Sequence, residues 1–166
     1  MRVPCIMRWP ARIPRGGVCS EMVTAMDFLP TFAGICGKTV PNDRVIDGKD
    51  ILPLMEGLSS STPHDAFYYY FERELQAVRA QNWKLHLSTG ELYDLRKDVG
   101  ETTDVAKEHQ DVVKDLQQLA DACRQDIGDS LQGLSGKNVR PCGHVKNPKP
   151  LTEYDTDHPY MIAMYD

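Results

Sequence analysis

The side chains that could do chemistry are scattered along this sequence. It contains five histidines and five cysteines, and no two of them have the spacing of a metal-binding or C-x-x-C redox motif. The G-x-S-x-G nucleophile elbow, the G-x-x-x-x-G-K-[ST] phosphate loop and the D-x-D-x-D-G calcium loop are also missing from the sequence. The sequence motifs therefore identify no catalytic residue and no metal ligand, and we interpret the odd number of cysteines as core or free thiols, with a distant disulfide left open.

Three side chains are candidates for the edge of a substrate cleft. Tyr70 ends a run of three tyrosines, whose rings could stack on a sugar or aryl group. Arg73 lies in a polar stretch at a predicted strand end, where loops often carry function. His86 alternates with Trp83 and Leu85, so it points to the opposite face of its strand. Each also has an ordinary interpretation: Tyr70 as a packing residue, Arg73 as part of a polar hairpin turn and His86 as a surface histidine.

A small sheet and a helix must position these candidates. Period-two alternation and aromatic content predict four strands, which are residues 66–71, 75–80, 83–88 and 91–95. The short connections between them predict an antiparallel meander. Apolar residues at helical spacing predict a helix over 108–127 that ends at Gly128, with Val112, Val113, Leu116, Leu119, Ala120, Cys123 and Ile127 on one face.

Upstream of this sheet, the pattern predicts the end of a larger layered domain. Residues 3–9 are apolar on both faces, which is typical of a strand inside a covered sheet. Asp27 predicts the start of a helix over 27–36, and residues 51–55 predict one helical turn. The predicted organisation is an α/β domain end at 1–62, an antiparallel sheet-and-helix subdomain at 63–132 and an irregular tail at 133–166.

Charge and hydropathy exclude two classes of partner. The net charge is -5 and lysines and arginines do not cluster, which argues against nucleic acid. The apolar runs are too short for a membrane span.

Several phrases, taken in order, resemble the sulfatase family. The first is Arg2–Pro10 followed by Ile13 and Gly16, and the second is the D-x-x-P-T stretch at Asp27. The D-G-x-D phrase at Asp47 and the E-L-Y-D-L phrase at Glu91 follow at family-like spacing. The remaining phrases are Ala77-Val78-Arg79, Trp83-Lys84-Leu85 and the turn at Asp98 to Glu101.

This resemblance implies an alkaline-phosphatase-like α/β fold and hydrolysis of sulfate esters. It also implies a formylglycine nucleophile made from C-x-P-x-R or S-x-P-x-R, a calcium ion, and export to the periplasm, the lysosome or the extracellular space. Neither nucleophile motif occurs in this sequence, and the family's G-K-W-H phrase is missing as well. No catalytic residue or metal ligand can therefore be carried over, and this chain is expected to bind no cofactor.

The expected protein is the C-terminal part of a sulfatase that is inactive alone. Its implied partners are the N-terminal part of the same enzyme and a sulfated small molecule or glycan. A chain whose sequence starts within a predicted strand agrees with that interpretation. Two alternatives stay open, which are a piece of a related phosphodiesterase or phosphonate hydrolase, and a noncatalytic module that binds a partner or a carbohydrate.

Overall fold

The computed structural model describes residues 3–139 and 144–146. Its elements are α1 (Phe28–Ile35), α2 (Leu52–Met55), β1 (Phe67–Phe71), β2 (Glu74–Ala80), β3 (Trp83–His86), β4 (Leu92–Asp94), α3 (Gln110–Ile127), β5 (Gly128–Asp129) and β6 (Leu134–Ser135). Short 3₁₀ turns precede α1 and lie between β5 and β6. Cys142 and His158, and most of the predicted tail, lie outside the described residues.

The four-stranded sheet has the order β1-β2-β3-β4, and every neighbouring pair is antiparallel. Helix α3 covers one face, and the core lies between them. The buried members from the sheet are Leu75, Val78, Leu85 and Leu92, and those from the helix are Val113, Leu116, Ala120 and Cys123. The predicted α/β fold class, with a small antiparallel sheet covered by a long helix, is confirmed. Ile127, predicted on the apolar face of the helix, is instead exposed.

Two predicted segments differ from the structure. Residues 3–9 form no strand, because no other strand in the described part of the chain lies beside them to complete a ladder. The side chain of Ile6 is accordingly 94% exposed. Leu134 and Ser135, predicted within the irregular tail, pair as β6 with β5. Asp129 fixes this ribbon, since its carboxylate accepts hydrogen bonds from Arg124 Nε at 2.9 Å and from the Leu131 amide at 3.1 Å.

Helix α1 is oriented in an unusual way. Asp27 precedes it as predicted, and Gly37 follows its end in the left-handed conformation at φ 67°. Thr31 is fully buried and donates to the Asp27 carbonyl at 2.6 Å, whereas Leu29 and Phe32 are 55% and 52% exposed. The helix thus buries its polar side and exposes its apolar side, which is the reverse of an ordinary amphipathic helix.

A buried carboxylate ties three segments together around α1. The Asp27 carboxylate does not cap α1, as an N-cap side chain would, but accepts from the Thr24 amide at 2.7 Å and the Lys49 amide at 2.8 Å. It also contacts His64 Nε2 at 2.8 Å. We call these four residues the Asp27 node. Because Asp27 is fully buried, each of these contacts is needed to satisfy its carboxylate oxygens.

Candidate functional site

The two faces of the sheet have different characters. Strand register places Tyr69, Ala77 and His86 in one row and Lys84 beside Tyr93 in the next. Because side chains alternate along a strand, these five residues lie on the face opposite helix α3. We call this the outer face. The sequence predicted that His86 lies opposite Trp83 and Leu85, and the register confirms it.

Tyr70 lies on the helix side of the sheet. Its hydroxyl donates to the Gly128 carbonyl at 2.7 Å and lies 3.5 Å from Cys123 Sγ, at the C-terminal end of α3. Burial, together with the neighbouring Cys123, raises the pKa of Tyr70 well above its usual range. The hydroxyl is therefore a neutral donor that anchors the helix end to β1, and a role at a substrate cleft remains a prediction.

Arg73 lies in the connection between β1 and β2. This two-residue turn places Glu72 at φ 53°, a left-handed conformation that is unusual for a residue with a side chain. The Arg73 side chain is exposed, and its carbonyl accepts from the Ser130 amide at 2.9 Å. The hairpin tip is thereby held against the segment after α3, while the guanidinium stays free to reach solvent.

His86 belongs to a compact charged cluster on the outer face. One Glu101 oxygen accepts from Lys84 Nζ at 2.7 Å, and the other lies 2.7 Å from His86 Nε2 and 2.8 Å from Lys84 Nζ. Lys84 Nζ also lies 4.8 Å from the centroid of the Tyr69 ring, in cation–π geometry. The Tyr93 ring meets the His86 ring edge-on, with centroids 5.5 Å apart.

The cluster balances its own charges. Partial burial would raise the pKa of Glu101, but the hydrogen bonds from Lys84 and His86 outweigh that effect and hold the pKa below its usual value. Glu101 therefore stays ionised and compensates the nearly buried Lys84. The Glu101 backbone lies at φ 55°, a conformation that costs energy and that the side-chain contacts must maintain.

This geometry orients the imidazole of His86. A carboxylate beside Nε2 favours the proton on that nitrogen and leaves Nδ1 as an acceptor, or as a donor when the ring is protonated. The His86 side chain is 34% exposed, so it is open to an incoming group. The cluster can hold a polar or anionic group through His86, while Lys84 is already occupied by Glu101.

The three sequence candidates do not converge on one point. Tyr70 contacts the helix, Arg73 lies in a hairpin turn, and His86 lies on the outer face. Sequence reasoning missed the roles of Lys84 and Glu101, although the signal was present. Both residues lie in segments that resemble the sulfatase family, but their spacing in the sequence did not show that the two segments are in contact in the fold.

Within residues 3–139 and 144–146, no three His, Cys, Asp or Glu side chains are grouped as a metal ion would need. The helices in that same part of the chain are all too short or too polar to cross a membrane.

Comparison with protein families and with curated proteins gives sulfatases in both cases. The family model described as N-sulphoglucosamine sulphohydrolase, C-terminal, matches residues 1–126. Steryl-sulfatase of Mus musculus is 42% identical over 88 residues, which are 51% of this chain and 14% of that protein. Arylsulfatase D of Homo sapiens is 35% identical over 99 residues, which are 56% of this chain and 17% of that protein. The chain thus spans less than a fifth of either relative.

Two solved structures share the architecture. A protein in complex with its substrate D-glucosamine-2-N,6-O-disulfate aligns with a TM-score of 0.52 and 28% identity, over 70% of this chain and 27% of that one. The protein Ps i-CgsB, in complex with k-i-k-neocarrahexaose, aligns with a TM-score of 0.60 and 22% identity, over 78% of this chain and 30% of that one. The second likeness concerns the fold alone.

Proposed function

Because the chain belongs to the N-sulphoglucosamine sulphohydrolase C-terminal family, we propose that it is the C-terminal part of a sulfatase and has no sulfatase activity alone. The observation that carries this proposal is the family match over residues 1–126, in a chain that spans only 14% and 17% of its sulfatase relatives. The nucleophile motif of such enzymes does not occur in the sequence. The parent enzyme would hydrolyse sulfuric esters, and this chain would supply scaffold and part of the substrate rim.

We propose a division of the chain that follows its packing. Residues 63–132 form the small subdomain, in which one core joins the sheet to α3. Residues 1–62 are the end of the larger α/β domain, and residues 133–166 are a C-terminal segment whose strand β6 pairs with β5 of the subdomain. A polar contact crosses the first boundary, between His64 Nε2 and the Asp27 carboxylate at 2.8 Å.

The proposed partner of residues 1–62 is the N-terminal part of the same sulfatase. Leu29 and Phe32 are more than half exposed, and Met26 on the turn before α1 is 45% exposed. Phe28 stacks on Phe32 with centroids 5.7 Å apart, which extends the apolar surface. Exposed apolar patches of this kind mark protein interfaces, and the relatives are several times longer than this chain.

The cofactors of the parent belong, in this proposal, to that N-terminal part. The described residues of this chain do not fit the carboxylate-rich site of a calcium ion, because no three of their His, Cys, Asp or Glu side chains are grouped. They do not fit a formylglycine either, because no cysteine or serine begins the C-x-P-x-R or S-x-P-x-R motif. We therefore assign no chemical step to the residues of this chain.

The proposed substrate of the parent is a sulfated small molecule or glycan. Support comes from the relatives named for steryl and aryl sulfates and from the structural neighbour solved with D-glucosamine-2-N,6-O-disulfate. We propose His86 as an element of the substrate rim, because Glu101 orients its ring on the outer face. Tyr70 and Arg73 remain rim candidates of this proposal.

A turnover assay tests the proposal. The purified 166-residue chain is incubated with 4-nitrophenyl sulfate, after expression with and without a formylglycine-generating enzyme. We expect no turnover in either case. We also expect the coding sequence upstream of Met1 to contain an in-frame C-x-P-x-R, and the correspondingly extended protein to turn over the substrate. Turnover by the 166-residue chain would overturn the proposal, and an upstream threonine or serine nucleophile with two-metal ligands would assign the parent to the phosphodiesterases.

A further inference from the structure

Residues 3–20 consist of two arms on either side of a turn. The Trp9 carbonyl accepts from the Arg12 and Ile13 amides at 2.9 and 2.8 Å, and these bonds define the turn. Residues 3–9 before the turn and residues 17–20 after it form neither helix nor strand. The two arms can therefore move relative to each other without breaking an element of secondary structure.

Both arms line one small cavity. Its volume is about 230 Å³, its walls are mostly apolar, and Ile51 and Leu54 are among its buried residues. Cys5 lies in the wall on the first arm, and Cys19 lies in the wall on the second. Both cysteines are exposed and carry free thiols. Two thiols from different arms thus border the same space and are open to a reagent from solvent.

The other described cysteines have different surroundings. Cys36 is exposed, but it follows the end of α1 and does not line this cavity. Cys123 is buried in the core, where burial raises the pKa of its thiol and lowers the fraction of reactive thiolate. Among the cysteines that the structure describes, Cys5 and Cys19 are therefore the pair that combines access with a shared space.

We infer that Cys5 and Cys19 form a reversible disulfide across this cavity, so that the loop of residues 5–19 is closed under oxidising conditions and open under reducing ones. Cα atoms joined by a disulfide lie about 4.4–6.8 Å apart, a separation that two arms without regular structure can adopt by moving toward each other. The closed form holds residues 3–9 beside residues 17–20, and the open form releases them.

The bond forms by two exchange steps with a small disulfide such as oxidised glutathione. One of the two cysteine thiolates attacks a glutathione sulfur, which gives a mixed disulfide and releases one reduced glutathione. The second cysteine thiolate then attacks the protein sulfur of the mixed disulfide and displaces the other glutathione. Two protein thiols and one oxidised glutathione thus give one protein disulfide and two reduced glutathiones, and the two thiol protons pass to the released thiolates.

This inference goes beyond the proposed function, because it concerns the redox state of the chain and requires no hydrolysis. It holds whether or not the parent enzyme is a sulfatase.

Peptide mapping of the whole 166-residue chain tests the inference. The chain is equilibrated in oxidised or in reduced glutathione, its free thiols are alkylated, and it is digested with trypsin and Glu-C. The digestion puts Cys5, Cys19 and Cys36 in the separate peptides 3–8, 16–21 and 22–38. We expect mass spectrometry to find peptide 3–8 linked to peptide 16–21 in the oxidised sample, and both peptides alkylated in the reduced sample.

Matched serine variants locate the bond. Cys19→Ser is expected to abolish the linked peptide, and Cys36→Ser, which also removes an exposed thiol, is expected to keep it. Because Cys19 is exposed, its variant keeps the native packing. Peptide 3–8 alkylated in both samples, or linked instead to a peptide that carries Cys36, Cys123 or Cys142, would overturn the inference.

Amide hydrogen exchange tests the closing of the loop. The Arg12 and Ile13 amides, which donate to the Trp9 carbonyl, should exchange about tenfold more slowly in the oxidised chain, because the cross-link restricts the opened loop. Cys36→Ser should show the same slowing, and Cys19→Ser should show none. Equal exchange of these amides in the two redox states would overturn the inference as well. Neither measurement depends on turnover, so each leaves the test of the proposed function untouched.

Discussion

Asp27→Ala is expected to release the segments that the Asp27 node holds together. The substitution removes the acceptor of the Thr24 and Lys49 amides and of His64 Nε2. A buried donor left without a partner costs about 1–3 kcal/mol, and because these three donors are only partly buried, the three contacts together cost roughly 3 kcal/mol of local stability. A loss of about 3 kcal/mol corresponds to a roughly hundredfold faster opening-limited exchange. The loss should be local, because the node lies apart from the core between the sheet and α3.

Amide hydrogen exchange measures this effect residue by residue. The Lys49 and Ile51 amides, which donate to Asp27 and Thr31 side chains, should lose their protection in Asp27→Ala. The amides of β2 and β3 should keep theirs. Asp43→Ala is the matched control, because it removes one exposed carboxylate that pairs with the exposed Arg44.

The variant Gly48→Ala perturbs the Asp27 node without changing the charge of the chain. A Cβ on Gly48 would overlap the carbonyl oxygen of Met26, so Gly48→Ala must push the chain before Lys49 away from Asp27. We expect it to reproduce the exchange pattern of Asp27→Ala. Unchanged protection of Lys49 in both variants would refute the view that this carboxylate holds the segments together.

Three further outcomes follow from the sheet. Glu101→Gln should make the stability of the chain less sensitive to acid. The pKa of Glu101 in the folded chain is depressed, so the carboxylate stabilises the fold above its ordinary pKa of 4.5, and this contribution is lost as the pH falls below that value. The acid-unfolding midpoints of the two proteins measure the difference. Leu85→Ala should cost about 2–5 kcal/mol in urea unfolding, since Leu85 is fully buried between the sheet and α3, and a loss under 1 kcal/mol would contradict this packing. Glu72→Gly should stabilise the chain by about 0.5–1 kcal/mol, because glycine adopts the left-handed turn conformation without a Cβ penalty, and the same unfolding curves would show it.

The apolar surface of α1 predicts a separate behaviour. Leu29→Ser combined with Phe32→Ser should lower binding of the dye ANS by the chain while leaving its unfolding midpoint nearly unchanged, because both side chains are already more than half exposed. Undiminished dye binding would show that the exposed apolar surface lies elsewhere. Val113→Ser is the contrasting change, because Val113 is buried in the core and its loss should lower the midpoint.

The local pattern of the sequence was sufficient for the regular elements of the small subdomain. Alternation along Trp83 to His86 predicted which face of β3 is buried, and helical spacing predicted the face of α3 that carries Leu116 and Ala120. These periodicities follow directly from strand and helix geometry, so they are readable without knowledge of the fold. The same rule failed at residues 3–9, because a strand also requires a neighbouring strand, and sequence pattern does not report one.

What the sequence alone determined is the family, through ordered phrases, and the type of each main element. What only the tertiary structure decided is which distant polar groups meet. Glu101 reaches Lys84 and His86 because β3 and the turn after β4 are brought together by strand register, and His64 reaches Asp27 across 37 residues of chain. The tertiary structure also decided the orientation of α1, which buries its polar side. A buried carboxylate must have its donors close by, and their positions depend on how the segments pack rather than on their spacing in sequence.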